Sequence, residues 1–194
     1  MIAGLTGKYC SGKNSVAAEF EKRGFFHIEV DKLGHAALDL KKDEIEKAFG
    51  SGVIENGKVS RASLGRIVFR NVEKKHLLES IVHPVMVEEV KRIIGEHRGE
   101  KILINAAILA HMGLHRLCDV VIWVRTPFAK RMQRAFLRDS LPVEAVFDRM
   151  ITQRKLKPNL TKKDVDTYII DNDGSIDDLA SGVDRVLKII DSRK

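Results

Sequence analysis

Cysteine is scarce in this 194-residue sequence: there are two, Cys10 and Cys118, far apart and outside any C-x-x-C spacing. That excludes a disulfide scaffold and a local cysteine metal site, and it predicts a reducing, cytoplasmic setting. Proline is almost as rare, at four residues, and aromatics make up 6% with one tryptophan. A proline-rich linker and an interleaved aromatic platform for single-stranded nucleic acid are both absent. No run approaches the roughly 20 continuous apolar residues of a membrane span. The opening Met1-Ile2-Ala3-Gly4-Leu5 passes into a strand without a basic flank or a small-residue cleavage site, which predicts a soluble chain with no membrane partner. What remains is ordinary for a globular protein: 44% hydrophobic and 31% charged residues, enough for one core and a small subdomain.

The formal net charge of +7 admits a nucleic acid, a membrane surface or a small polyanion as partner. Its distribution is more telling. Between Arg125 and Lys163 there are eleven Lys or Arg against three acids, an excess as large as that of the whole chain. With no nucleic-acid motif beside it, this segment points to a phosphorylated small molecule rather than to nucleic acid.

The stretch Gly7-Lys8-Tyr9-Cys10-Ser11-Gly12-Lys13-Asn14-Ser15 has the G-x-x-x-x-G-K spacing of a phosphate-binding loop, between a short strand and a helix beginning near Lys13. Its glycines let successive amides point inward, and Lys13 with the helix N-terminus supplies positive potential. Where that pattern places Ser or Thr on magnesium, this chain has Asn14, with a hydroxyl one residue later at Ser15.

The spacing predicts a helix from Val16 stopped by Gly24, then a strand over 25–30 ending at Asp31. Asp31 is placed either to cap a helix starting at Lys32 or to reach a ligand on the first loop. Residues 41–97 read as a helical block: a helix closed by Gly50, a loop with a tight turn at Asn56-Gly57, and a helix capped by Ser60. A further helix over 73–82 is interrupted at His83-Pro84 and followed by another over 85–97. A plain crossover needs about a dozen residues, so this block reads as an inserted subdomain.

Strands follow at 101–105 and 119–124, separated by a helix over 108–117 that would carry His111 and His115 at a metal-like spacing without a third ligand. A helix over 127–138 bears Arg131, Arg134 and Arg138 as a basic stripe, and a second runs from Val143 to Lys155, ended by Pro158-Asn159-Leu160-Thr161. A last strand at 167–171 precedes a helix opened by a Ser175/Asp178 capping box. The sum is an α/β protein of three layers, a P-loop NTPase-type domain with a parallel sheet of about five strands. Residues 1–40 and 98–194 form the nucleotide-binding core, 127–163 a lid, and 41–97 the helical insertion.

These parts fit a small kinase. Lys13 and the amides of 10–15 would hold the phosphates of ATP, with Mg²⁺ bridging them near Asn14 and Ser15. Asp31 would take or orient the acceptor proton, and the arginines of 127–138 would meet the charge on the transferred group. A kinase acting on another nucleoside or nucleotide and a nucleotide-binding regulatory protein are alternatives built on the same loop.

Over essentially its full length the chain resembles the dephospho-coenzyme A kinase family. Gly4-Leu5-Thr6-Gly7 and Ser11-Gly12-Lys13 are similar to G-L-T-G-G-x-G-S-G-K-S-T, and Ile28-Glu29-Val30-Asp31-Lys32 to I-D-A-D-K. Arg61 through Phe69 resembles R-x-x-L-x-x-I-V-F, and Ile81-Val82-His83-Pro84 resembles I-x-H-P. Cys118 through Pro127, Arg134 to Arg138, Gln153 and Ile170-Asp171-Asn172 resemble the later strand, lid and nucleotide-base regions. The resemblance implies ATP-dependent phosphorylation of the ribose 3′-hydroxyl of dephospho-coenzyme A. It implies Asp31 as base, Arg134 or Arg138 as the lid arginine, Asn172 near the nucleotide, and Arg61, Arg66 and His83 around the acceptor. A monomer is the expectation, with oligomerisation left open. The chain departs from the pattern at Lys8 and Cys10, where the family has glycine, at Asn14, and at His111, which occupies the acidic position of P-L-L-x-E.

Overall fold

The computed structural model describes residues 1–68, 71–138, 142–158 and 164–192. Phe69 of the R-x-x-L-x-x-I-V-F segment and the 159–163 end of the expected lid lie outside the described residues. Two compact units emerge: Met1–Ile28 with His97–Lys194, and Glu29–Glu96.

The first unit is built on a five-stranded sheet in the order β2-β5-β1-β6-β7. Its strands are β1 (Ile2–Gly7), β2 (Phe25–Glu29), β5 (Lys101–Asn105), β6 (Val120–Arg125) and β7 (Thr167–Asp171); β3 and β4 belong to the second unit. β1 runs parallel to both β5 and β6, and β6 parallel to β7. β1 and β6 form near-continuous apolar runs because both faces are covered. On one face Ala3 and Leu5 meet Val16, Ala17 and Phe20 of α1 (Lys13–Glu21) and Leu179, Val183 and Val186 of the C-terminal helix (Ile176–Asp191). On the other, Gly4 leaves no room for a side chain: a Cβ there would stand 2.7 Å from Leu109 and 2.9 Å from the Cys118 sulfur. Phe20 is fully buried and meets Phe25 edge-on with centroids 4.9 Å apart. Phe20→Ala is therefore expected to lower stability by about 3–5 kcal/mol, seen as a reduced urea midpoint at unchanged slope.

The register aligns the carboxyl ends of the strands. Leu5 pairs with Asn105, Gly7 with Val124, and Arg125 with Asp171. Gly7, Asn105, Thr126 and Asn172 thereby come to one sheet edge, the edge at which open parallel sheets hold their ligands.

The segment expected as a helix over 108–117 is instead turns followed by a 3-10 turn at Leu114–Leu117. Gly113, at φ 71°, interrupts any helical run. His111 and His115 therefore share no helical face: His111 is exposed, while His115 is buried with Nε2 3.0 Å from Asp164 Oδ2. No group of three or more metal-ligating side chains occurs among the described residues. The helix read as Val143–Lys155 ends as α-helix at Thr152 and tightens to a 3-10 turn over Gln153–Lys155.

The second unit contains α2 (Val30–Leu40), α3 (Lys42–Phe49), a hairpin of β3 (Ile54–Glu55) and β4 (Lys58–Val59), α4 (Arg61–Val68) and α5 (Val72–Glu96). It runs from Glu29 to Glu96, taking in α2 along with residues 41–96 of the helical block and leaving His97 to the first unit. The Asn56-Gly57 turn closes the hairpin with positive φ at both residues, 50° and 76°. The expected break at His83-Pro84 does not occur, and α5 runs through Pro84. Proline there removes one backbone donor at a cost of about 3 kcal/mol. The buried positions Val82, Met86 and Val90 on either side of it offset that loss by packing. Gly34 of α2 lies beside Met86, with room for a Cβ at 3.6 Å. No described helix is long and apolar enough to cross a membrane.

Candidate active site

The loop after β1 makes a backbone turn of its own, Ser11 N–H to the Lys8 carbonyl at 3.0 Å, and is otherwise held by residues from distant segments. Gly12 sits at φ 81°, and a Cβ there would fall 2.1 Å from the Asn172 amide nitrogen. Gly7 is closed in likewise, with a Cβ meeting the Val124 carbonyl oxygen at 2.7 Å. Asn172, read from sequence as a nucleotide contact, is buried and donates Nδ2 to the Ser11 carbonyl at 2.9 Å. Thr126 Oγ1 donates to the same carbonyl at 2.9 Å. The Arg125–Asp171 ion pair, 2.7 Å at its Nη2–Oδ2 contact, ties the two strand ends just before these residues and holds the Asp171 carboxyl below the ordinary carboxylate range.

Cys10 adopts the left-handed region at φ 56°, a conformation glycine takes without strain and other residues take at a cost of about 1–2 kcal/mol. Its buried side chain packs with Ala135, Val146 and Met150, which belong to α6 (Phe128–Arg138) and α7 (Val143–Thr152). Burial of that thiol ties the loop to the two helices. Tyr9 strengthens the tie: its amide donates to Gln153 Oε1, and the guanidinium groups of Arg138 and Arg149 lie 5.4 Å and 5.6 Å from its ring centre.

The arginine stripe of α6 faces this loop rather than only solvent. Arg131 is 6% exposed and donates Nη1 to the Tyr9 carbonyl at 3.3 Å, and burial pulls its guanidinium below the usual value. Arg134 bridges the Ser11 carbonyl at 3.4 Å and the Asn172 carbonyl at 3.0 Å. Lys13 reaches back to the Gly7 carbonyl at 3.5 Å.

This geometry suits an anion. The first turn of α1 carries no acid and its N-cap Gly12 brings no side-chain cap, so the positive end of its dipole is uncompensated. Among the described residues, Ser11 Oγ, Arg131 Nε and His115 Nδ1 are buried without a hydrogen-bond partner; the first belongs to the loop and the second to a side chain bonded to it, which fits a site for phosphate oxygens. Burial lowers the Lys8 ammonium, and the neighbouring charges of Arg131, Lys157 and Arg154 add to the effect. Phosphates would reverse that shift, so nucleotide binding at alkaline pH is expected to take up protons. Calorimetry in two buffers of different ionisation enthalpy would measure the uptake, and Lys8→Gln should remove it.

Magnesium fits less well. Asn14 and Ser15 are both exposed at the start of α1, but the Asn14 side-chain oxygen already accepts a hydrogen bond from Asn105 Nδ2 at 3.2 Å. These residues offer neutral oxygens and no carboxylate, which suits a metal carried by the nucleotide and not one held by the chain.

The other residues singled out from the sequence lie in the second unit. Asp31 is in the first turn of α2 and not at a strand end, because helix begins at Val30 with Glu29 as its N-cap. It therefore does not cap that helix. Arg61 meets α2 at His35, one turn on from Asp31, with Nη1 2.5 Å from Nε2. Arg66 donates to Ser63 Oγ at 3.0 Å, and Ser63 donates to Glu55 at 2.8 Å. His83 lies within α5, one turn before Met86. The structure thus gathers Gly7 through Ser15, Arg134, Arg138 and Asn172 in one unit, and Asp31, Arg61, Arg66 and His83 in the other.

Thr126 and Asn105 escaped the sequence reading. Each is a polar residue at the carboxyl end of an apolar strand, and that placement was the available signal.

A parallel sheet whose first strand feeds a glycine-turned phosphate loop, braced by arginines of a following helix pair, defines the class: a P-loop kinase. The family model described as dephospho-CoA kinase matches residues 1–178, and the chain belongs to that family of ATP-dependent kinases, which catalyse the final step of coenzyme A synthesis. The dephospho-CoA kinase of Bacillus licheniformis is 31% identical over 198 residues, covering 96% of this chain and 95% of that protein. That of Borreliella burgdorferi is 40% identical over 124 residues, an alignment taking in 63% of this chain and 60% of that protein. A solved dephospho-CoA kinase from Campylobacter jejuni superimposes with a TM-score of 0.70 at 26% identity, covering 97% of this chain and 96% of that one.

Proposed function

We propose that this chain transfers the γ-phosphoryl group of ATP to the ribose 3′-hydroxyl of dephospho-coenzyme A, releasing ADP and coenzyme A. The observation that carries the reading is the acid-free phosphate loop, with its unpartnered Ser11 Oγ and Arg131 Nε and its surrounding cations. Lys13 and the amides of residues 10–15 bind the β- and γ-phosphates, and Arg134 and Arg138 meet the charge that develops on the transferred group. Asp31 accepts the proton of the 3′-hydroxyl as its oxygen bonds to the γ-phosphorus and the bond to the ADP oxygen breaks. Arg61, Arg66 and His83 bind the acceptor, whose own phosphates suit the two arginines. Magnesium, arriving with ATP, supplies charge neutralisation on the phosphates.

Initial rates of ADP release against a panel of acceptors test the proposal. Dephospho-coenzyme A is expected to exceed nucleoside monophosphates, shikimate and gluconate in kcat/KM by about 100-fold or more, a gap of at least about 2.7 kcal/mol. Comparable rates with a nucleoside monophosphate would reassign the acceptor, and ATP binding without transfer to any acceptor would favour a regulatory nucleotide-binding role.

A further inference from the structure

β5 ends on Asn105, which is 3% exposed and belongs to the same compact unit as the phosphate loop. Its amide nitrogen lies 3.2 Å from Asn14 Oδ1 and 3.2 Å from His27 Nε2. His27 in turn places Nδ1 2.8 Å from Glu21 Oε1. One hydrogen-bonding scheme satisfies all of these contacts. His27 donates from Nδ1 to the Glu21 carboxylate and accepts at Nε2 from one Asn105 proton, and the second Asn105 proton goes to Asn14. Both donors of the Asn105 amide are then committed, and the orientation of the Asn14 side chain is set from outside the loop.

In P-loop phosphotransferases the residue after the loop lysine is Ser or Thr, and a carboxylate at a nearby strand end joins it in holding magnesium. This chain carries an amide at both places, and the two amides are bonded to each other. The Asn105 NH₂ turned toward the loop cannot ligate a cation, and the Asn14 oxygen, a neutral ligand in any case, already spends one lone pair on that NH₂. We infer, on the reading that the loop binds a nucleoside triphosphate, that the Asn14–Asn105 pair replaces the protein's share of the magnesium site. The nucleotide's metal then takes its ligands from phosphates and water, and the protein meets the phosphate charge with Lys8, Arg131, Arg154 and Lys157 instead.

Metal affinity separates this arrangement from a protein-anchored metal. Mn²⁺ is titrated, with free ion followed by electron paramagnetic resonance, into ADP alone and into ADP saturated with the wild-type protein. The expected result is equal Mn²⁺ affinity within about threefold, and by reciprocity an equal ADP affinity with and without metal. Asn14→Ser combined with Asn105→Asp is expected to raise the Mn²⁺ affinity of the protein–ADP complex by about tenfold or more, with the same gain in metal-dependent ADP binding. The wild-type comparison stands without that variant. A gain of about tenfold or more for Mn²⁺ on the wild-type complex over free ADP would overturn the inference while leaving the nucleotide site intact. Failure of ADP to bind under either condition would overturn the nucleotide reading itself and the inference with it.

Discussion

Replacing Asp31 by asparagine is expected to lower kcat by about 10²–10⁴-fold while leaving ATP affinity within about twofold. The two side chains have the same shape, so the exchange removes proton acceptance and charge without removing packing. Asp31 occupies the first turn of α2, where an acid is favoured by the helix dipole, so the stability cost is limited to about 0.3–1 kcal/mol. Glutamate at the same position keeps the carboxylate and moves it by one methylene, and intermediate activity is expected. A kcat loss below about tenfold for asparagine would remove Asp31 from the role of base. A loss confined to KM for the acceptor would make it a binding group instead.

Gly12→Ala is expected to weaken ATP binding by about 30- to 1000-fold, corresponding to about 2–4 kcal/mol. Two causes combine. The residue sits at φ 81°, where any Cβ strains the backbone, and that Cβ would stand 2.1 Å from Asn172 Nδ2 and 3.2 Å from Arg134 Nη1. Asn172 would have to leave the Ser11 carbonyl, and the loop would lose the buried amide that orients it. Pairing the substitution with Asn172→Ala separates the causes: the double variant relieves the collision but keeps the backbone strain. Its loss should therefore be smaller than the sum of the two single losses. Equilibrium binding of a fluorescent ATP analogue measures all four proteins. Additive losses would show that Gly12 and Asn172 do not act through their contact.

The sheet was legible because its strands carry their own signature. Val120 through Val124 is an apolar run that only a doubly covered strand requires, and the loop spacing from Gly7 to Lys13 announces the turn into α1. The Ser175/Asp178 box opening the last helix was equally local, and both of its hydrogen bonds are present. Two other elements depend on packing at a distance. Pro84 lies inside α5 because buried neighbours sustain the helix on both sides, and a local rule for proline cannot weigh that. The 107–113 stretch has helical composition, but it crosses the face of β1 through the gap left at Gly4, and turns follow that path.

The same division holds in the site. The loop residues and the arginine positions could be read in order, whereas the contacts that define their roles run between distant segments. Arg131 and Arg134 could be read as one basic stripe but not by their partners, because helix periodicity records which residues share a face and not what that face meets. Cys10 and Asn14 looked like defects in a motif. Cys10 proves to anchor the loop to α6 and α7, and Asn14 is paired to Asn105, 91 residues away.

The most direct test of the account is the chemical identity of the product. Pure protein incubated with MgATP and dephospho-coenzyme A should yield one new phosphomonoester, seen by phosphorus NMR at the position of authentic coenzyme A, with one ADP formed per ester. Phosphate on any other hydroxyl, or ADP released with no phosphorylated acceptor, would contradict it.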